Sequence, residues 1–553
     1  MSRTSDLNRK NETAAKTDAG SLETFDVAVV GAGFSGLYML HKARRMGLAA
    51  VAFETGDDVG GTWYWNRYPG ARCDVESLFY SYSFDRKLAE DWDWTERYAA
   101  QPEILEYARH VCERYGLRPF IRFNSKISSV DFIDTDDVWR LETTSGEVVL
   151  AQFVVMATGP LSVPKKPHFK GEERFRGEMY HTGLWPHHDV SFDGKRVAVI
   201  GSGASGIQAA TAVSPVAGSL HVFQRGAHYS IPAWNRPLTD ADRTVFRENF
   251  EDLMAKRRQS FMGIILDTNP ATFRKGCNLS TEDRHAQLES RWNHGGLLFN
   301  MAFSDTTLNA ETNFEIAEFV RNKIRLIVRD PETADTLCSM HFPIGTKRTC
   351  VDTGYYEIYN RPNVHLVDTR KTPVREFTDD GLVAGDREHA FDVVIVATGF
   401  DAMTGALLAA GITGRDGRKL ADEWKDGAST YLGLAMSGFP NLFTITGPGS
   451  PSVFTNMFAS FELHVEWIAD CIGYMRRRNH RRIEADRHAQ DNWTSGVTEL
   501  IEDTLYPQAD SWWIGANVAG KPRRFLAFTA GHKDYSDICR NVMDNGYTGF
   551  NLN

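Results

Sequence analysis

The chain has 553 residues, 42% hydrophobic and 24% charged, with 46 glycines against 20 prolines, a globular composition too long for one ordinary core. Lysine and arginine total 62 against 72 aspartate and glutamate, and the net charge of −10 excludes a global basic field for nucleic acid. The seven cysteines (Cys73, Cys112, Cys277, Cys338, Cys350, Cys471, Cys539) include no C-x-x-C pair, which argues against a dithiol or metal site and for a reducing, cytoplasmic compartment.

Residues 1–24 are polar and read as a disordered tail rather than a signal peptide. No window approaches the roughly 20 apolar residues that would span a bilayer. Residues 25–30 form a short continuous apolar run, as a buried parallel strand should. They lead into a G-x-G-x-x-G loop (Gly31, Gly33, Ser35, Gly36) and an apolar-periodic helix from 37 to about 46. Residues 196–200 repeat the pattern before Gly201, Ser202, Gly203, Ala204, Ser205 and Gly206, with Ile207 and Gln208 opening the next helix. Such loops allow a tight turn and a close approach of backbone amides to a pyrophosphate at a helix N-terminus.

The end of the following strand separates the two ligands. Glu54, 18 residues beyond Gly36, can accept both ribose hydroxyls and suits FAD. Arg225, 19 residues beyond Gly206, can pair with a 2′-phosphate that a carboxylate would repel, so the second loop suits NADPH.

Two later strands, at 153–159 and 393–399, both end in Ala-Thr-Gly after a hairpin-like region. Each closes one nucleotide-binding half. The expected fold is α/β with two Rossmann-like dinucleotide-binding domains, FAD at 25–160 and 399–553. The NADP domain (161–237 and 336–398) is inserted in it and carries a helical subdomain at 238–335. The basic runs 476–478 and 481–482 fit a solvated helix C-terminus.

Between the two loops lie aromatics beside glycines, at Thr62, Trp63 and Trp65, followed by Arg72 and Asp74. The aromatics could be core, or flat apolar surface for an isoalloxazine ring. A second stretch contains Phe175, Gly177, His181, Trp185 and Pro186.

In these two stretches the chain resembles the type I Baeyer–Villiger monooxygenases, nearest the phenylacetone and steroid monooxygenase group. Residues 60–74 match G-G-x-W-x-x-x-x-Y-P-G-x-x-x-D in full, and residues 175–186 match F-x-G-x-x-x-H-x-x-x-W-P. The resemblance covers the chain after residue 24. It implies NADPH-driven conversion of linear, cyclic, aryl or steroid ketones with O2 into esters or lactones, through a C4a-peroxyflavin and a Criegee adduct. It implies no membrane or nucleic-acid partner, and a monomer or weak oligomer.

By the same resemblance Arg348 is the catalytic charge, oriented by Asp74, although a surface basic pair would also explain Lys347 and Arg348. Lys347 joins Arg225 at the 2′-phosphate, with Arg72, Arg348 and Trp512 also at NADP. Tyr80, Ile127 and Met457 contact FAD. Val75, Pro451, Ser452, Val453 and Phe454 line the substrate pocket, with Phe454 narrowing it. Residues 175–186 are a linker motif in which His181 serves as a hinge or packing residue rather than a proton carrier. The alternative reading is a flavin monooxygenase that oxidises sulfur or nitrogen.

Overall fold

The computed structural model describes residues 22–265 and 274–553. The expected tail therefore lies outside the described residues up to position 21. Its last two residues do not belong to it, because Glu23 and Thr24 already pair with Val149 and Leu150 in the first strand. Backbone pairing claims them despite their polar side chains.

The first sheet has eight strands. Glu23–Val30 runs parallel to Ala50–Phe53 on one side and Val148–Met156 on the other, with Ile121–Arg122 beyond Ala50–Phe53. Val148–Met156 changes partner along its length. Its start pairs antiparallel with Val138–Thr143, and its last three residues pair parallel with Leu442–Thr444. The chain thus returns to this sheet near its C-terminal end, and Ile412–Thr413 adds to Ile127–Ile133 at the far edge. Val27 to Val29 are wholly buried, as a central parallel strand covered on both faces must be. The 22-residue helix Met457–Arg478 shares a core with the glycine-loop helix Phe34–Arg45 through Leu37, Leu40, Phe458 and Val465. It ends in Arg476, Arg477 and Arg478 with Asn479 left-handed (φ 59°), so the cations meet its C-terminal carbonyls.

The second sheet has five parallel strands, in the order Val364–Asp368, Ser219–Gln224, Arg196–Ile200, Val393–Val396, Glu178–His181. The last of these changes the reading of the 175–186 stretch. It is an edge strand with Val396 opposite His181, not a free linker. Its four residues are too polar and too few to show period-two burial in the sequence, and backbone hydrogen bonds to Val393–Val396 decide the matter. Around it, Phe175 packs on Phe377 at 5.7 Å, and a Cβ on Gly177 would lie 2.7 Å from the Asp392 carbonyl. Trp185 is buried against Tyr180, and Pro186 is half-buried beside it.

Between positions 240 and 337 the described residues form the helices Asp240–Glu248, Phe250–Gln259, Thr281–His294, Ala310–Ile327 and Pro331–Leu337, and in Ala310–Ile327 Phe319, Val320 and Ile324 are buried but Phe314 is exposed. The strands Ser230–Pro232 and Cys350–Asp352 pair across the base of this insertion. No helix among the described residues is long and apolar enough to cross a membrane.

Candidate active site

A cavity of about 650 Å³ opens beneath both glycine loops, within the size range of cofactor sites. The first loop, Gly31, Gly33 and Ser35, lines it, together with Glu54, Thr62, Trp63, Trp65, Tyr80, Ile127 and Met457. Gly36 does not reach the cavity. It lies where the helix crosses its own loop, and a Cβ there would come within 1.9 Å of the Gly31 carbonyl oxygen. Neither glycine-loop helix, Phe34–Arg45 or Ala204–Val213, has a side-chain cap. Their first-turn amides therefore have no side-chain competitor for an anion.

Glu54 is 5% exposed and already engaged on both oxygens, accepting from the Ala32 amide and the Gly56 amide at 2.8 Å each. A carboxylate oxygen has a second lone pair, so the same group can still accept a ribose hydroxyl. Burial raises its pKa and these amides pull it back. The carboxylate holds the loop in shape as well as facing the cavity, which its position in sequence did not reveal.

The 60–74 stretch bridges the two sheets. Trp63 donates its indole N–H to the Tyr80 hydroxyl at 3.0 Å. Tyr68 donates to the Gln208 side-chain oxygen at 2.8 Å, and the Gln208 amide donates to the Arg72 carbonyl at 3.1 Å. Gly70 has φ +78°, and a Cβ there would lie 2.5 Å from the Gln208 carbonyl oxygen. The glycine thus lets this segment press on the second glycine-loop helix. The Arg72 guanidinium pairs with Glu96 and the Tyr98 carbonyl.

The stretch ends at Asp74, where it meets Arg348 from 274 positions away. Arg348 donates Nε and Nη2 to the two Asp74 oxygens at 2.7 Å each and Nη1 to the Val453 carbonyl at 2.6 Å. Both side chains are about a quarter exposed, 28% and 23%, and both line the cavity. Burial works against the charge on Arg348, but the Asp74 carboxylate outweighs it and raises the pKa above the ordinary guanidinium value. A fixed cation therefore faces the space beside Trp63 and Tyr80, next to two thiols, Cys73 and Cys350, whose pKa burial raises.

Among the residues expected at NADP, Arg72, Ala204, Ser205, Gln208, Arg348 and Trp512 line the cavity. Gly201, Ser202, Gly203, Gly206 and Ile207 are not part of its lining. Arg225 and Lys347 also lie outside the lining, where Lys347 packs over the Phe342 ring at 4.3 Å.

The expected substrate wall is only partly present. Val75 and Val453 line the cavity, whereas Pro451, Ser452 and Phe454 do not. Ser452 is wholly buried with φ +44°. Phe454 turns away to stack on Trp513 at 4.1 Å, within a cluster that includes Tyr506 and Phe525, so it does not narrow the cavity in this conformation. Aromatic packing takes it there. Trp513 is buried and is the packing residue of the Trp512–Trp513 pair.

His181 accepts from the Gly183 amide on Nδ1 at 3.0 Å and donates from Nε2 to the Lys165 carbonyl at 3.1 Å. The Thr398 hydroxyl donates to that same carbonyl at 2.8 Å. Burial lowers its pKa, so the ring is neutral at pH 7 with both nitrogens occupied.

One group escaped the sequence reading. Thr446, on the cavity wall, has φ +55°, which is unusual for a β-branched residue. Its amide donates to His464 Nδ1 at 2.9 Å, and His464 Nε2 lies 2.8 Å from the Tyr535 hydroxyl. The partners are 18 and 89 positions away, which no local pattern reports.

Burial lowers the pKa of His464 to about 3 and, in each case as the leading cause, those of His41, His221 and His228 to about 4. In the unfolded chain these rings bind protons near 6.5, so the unfolded state takes up protons first as the pH falls. Stability is therefore lost progressively between about pH 6.5 and 4. We expect the melting temperature to drop steadily from pH 7 to pH 4.5. A constant value across that window contradicts the neutral assignment.

A mixed sheet with a parallel core and an all-parallel sheet, sharing a cavity beneath two uncapped glycine-loop helices, define a two-dinucleotide flavoprotein class. Comparison with known proteins agrees. A flavin-binding monooxygenase-like family model matches residues 24–256. The phenazine N-monooxygenase of Lysobacter antibioticus is 40% identical over 96% of this chain and 97% of its own. The cyclohexanone 1,2-monooxygenase of Acinetobacter is 38% identical over 96% of each. An NADP-bound oxidized steroid monooxygenase superposes with a TM-score of 0.92 at 45% identity, covering 96% of this chain and 99% of that one. The chain belongs to the flavin-binding monooxygenase family, in its Baeyer–Villiger branch.

Proposed function

We propose that the protein is an NADPH- and FAD-dependent Baeyer–Villiger monooxygenase that converts ketones into esters or lactones with O2. The observation that carries this is the Arg348–Asp74 pair beside the aromatic wall of the cavity. Bound FAD, once reduced by NADPH, would activate O2, which is the source of the inserted oxygen atom.

The chain's own residues hold the two cofactors, place a charge and shape the pocket. Glu54 and the uncapped amides of the first glycine loop hold the adenosine end of FAD, and Trp63, Trp65, Tyr80, Ile127 and Met457 enclose its ring. The second glycine loop, with Arg72, Gln208 and Trp512, holds NADPH, and Arg225 and Lys347 take the 2′-phosphate. Arg348 offers a preorganised positive charge to the oxygen on which negative charge develops, and Asp74 keeps the guanidinium aimed. Val75 and Val453 form the apolar side of the ketone pocket, which excludes water. His181 acts as a packing joint rather than an acid, since both ring nitrogens are occupied. The domain division is an FAD unit at 25–160 and 399–553 and an NADP unit at 161–237 and 336–398 that carries the 238–335 helices.

We further place the enzyme in the cytoplasm as a monomer or weak oligomer. All seven cysteines are free, and six of them are buried, which supports a reducing compartment. The relationship to a phenazine N-monooxygenase keeps oxidation of an aromatic nitrogen as a second reading. NADPH consumption with a panel of linear, cyclic, aryl and steroid ketones and with phenazine, followed by product identification, tests both. Ketone-stimulated turnover that yields ester supports the first reading. N-oxide without ester supports the second, and steady H2O2 without either product overturns both.

A further inference from the structure

The Lys165 carbonyl serves His181 and Thr398, but its ammonium has no part in the site described above, and the chain pins the residue at a junction. Its amide donates to the Gly399 carbonyl at 2.8 Å, just past the end of the strand Val393–Val396. That strand stands two places from Ser219–Gln224, whose next residue is Arg225. Two strand spacings are about 10 Å, within reach of two long side chains that lean together. In parallel α/β sheets ligands bind at this carboxyl edge.

Arg225 lies close enough to both Lys165 and Lys347 for its charge to act on each, and the acids beside them are engaged by other cations. Burial and then Arg225 depress the pKa of both Lys165 and Lys347. Asp510, the acid that faces Lys347 and Arg225, is engaged by Arg523 at 2.6 Å. Asp401, beside the strand end, is engaged by Lys521. Like charges held together at a half-buried edge cost stability unless an anion is to be bound between them. The Lys165 ammonium has three donors and spends one on the Asn517 carbonyl, five residues beyond Trp512. Asn517 is tied in turn to the Phe400 carbonyl at 2.7 Å, and its own side-chain oxygen is buried without a partner.

We propose that Lys165 is the third cation of the NADPH 2′-phosphate site and the residue that links this phosphate to the segment carrying Trp512. The inference rests on the assignment of Arg225 and Lys347 to that phosphate. It adds a contact from a different part of the chain, the 160–165 crossing between the two sheets. The phosphate would take the two remaining donors of the ammonium, and the third would keep residues 512–517 drawn over the cofactor.

The test compares dissociation constants for NADP+ and NAD+, measured by calorimetry on the FAD-loaded enzyme. Wild type is set against Lys165→Met, Lys165→Arg, Arg225→Ala and the exposed neighbour Lys166→Met. Loss of one charge-assisted contact should weaken NADP+ roughly ten- to hundredfold in Lys165→Met while NAD+ changes less than about twofold. Lys165→Arg and Lys166→Met should keep discrimination within about threefold of wild type. If both nucleotides weaken equally in Lys165→Met, or neither does, the inference is overturned. If Arg225→Ala leaves discrimination untouched, the phosphate assignment itself fails, which separates the two failures. Amide hydrogen exchange checks the link. Saturating NADP+ should protect residues 512–521 in wild type and not in Lys165→Met, and equal protection in both overturns that part.

Discussion

Replacing Arg348 with alanine should abolish ester formation while hydride transfer from NADPH continues. The guanidinium is a fixed charge held in place by two donors on Asp74 and one on the Val453 carbonyl. Removing a single preorganised donor from a water-poor site costs about a hundred- to a thousandfold in rate. Removing a whole cation should cost at least as much. Alanine also leaves the Asp74 carboxylate unpaired at a partly buried position, so Arg348→Lys is the necessary companion. Lysine restores the charge but not the two-pronged fork, and should recover only a small part of the activity. Rapid-mixing absorbance separates the steps. Anaerobic bleaching of the flavin by NADPH should stay within about tenfold of wild type in both variants, while ester falls below detection in the alanine variant. Ester formed at near wild-type rate by Arg348→Ala would place the catalytic charge elsewhere.

The second large effect is expected at Glu54. Its two oxygens each hold a backbone amide, from Ala32 on the glycine loop and from Gly56 after the next strand. Alanine strips both amides of their partner in a buried setting, at about 1–3 kcal/mol each, before any contact with a ribose is counted. The FAD loop loses its brace and its acceptor together. Purified Glu54→Ala should therefore carry little flavin, with FAD affinity lowered about a hundredfold or more, read from the ratio of 450 to 280 nm absorbance after gel filtration. Glu54→Gln keeps one acceptor and should fall between. Full flavin content in the alanine variant would show that the carboxylate neither shapes the loop nor meets the cofactor.

The parts of the site that are contiguous in sequence were the legible ones. Each glycine loop lies between a strand and a helix a few residues away, so spacing alone locates it and places Glu54 and Arg225 at comparable strand ends. The 60–74 stretch was visible as a unit, but its purpose becomes physical only in three dimensions. Gly70 and Tyr68 press on the helix that begins at Ala204, and Asp74 reaches Arg348. The resemblance supplied that long-range pair, since no periodicity connects positions 274 residues apart.

What stayed hidden depends on competition among neighbours. Phe454 turns to Trp513 and Tyr506 instead of the cavity because aromatic surface is available on that side. Residues 178–181 become an edge strand because Val393–Val396 offers an unpaired edge, not because their own side chains favour it. Thr446 takes a left-handed conformation that His464 and Tyr535, both wholly buried, hold from below. Lys165 is an ordinary loop lysine in sequence, and only the convergence of strand ends brings it towards Arg225.

The central claim is that one atom of O2 enters the bond between a carbonyl carbon and its neighbour. Turnover of a simple cyclic ketone under 18O2, with the product fragmented in a mass spectrometer, tests it most directly. The account predicts a lactone two mass units heavier than its unlabelled counterpart, with the label in the ring oxygen and the carbonyl oxygen unlabelled. Label confined to H2O2 and water, or a lactone without label, would contradict it.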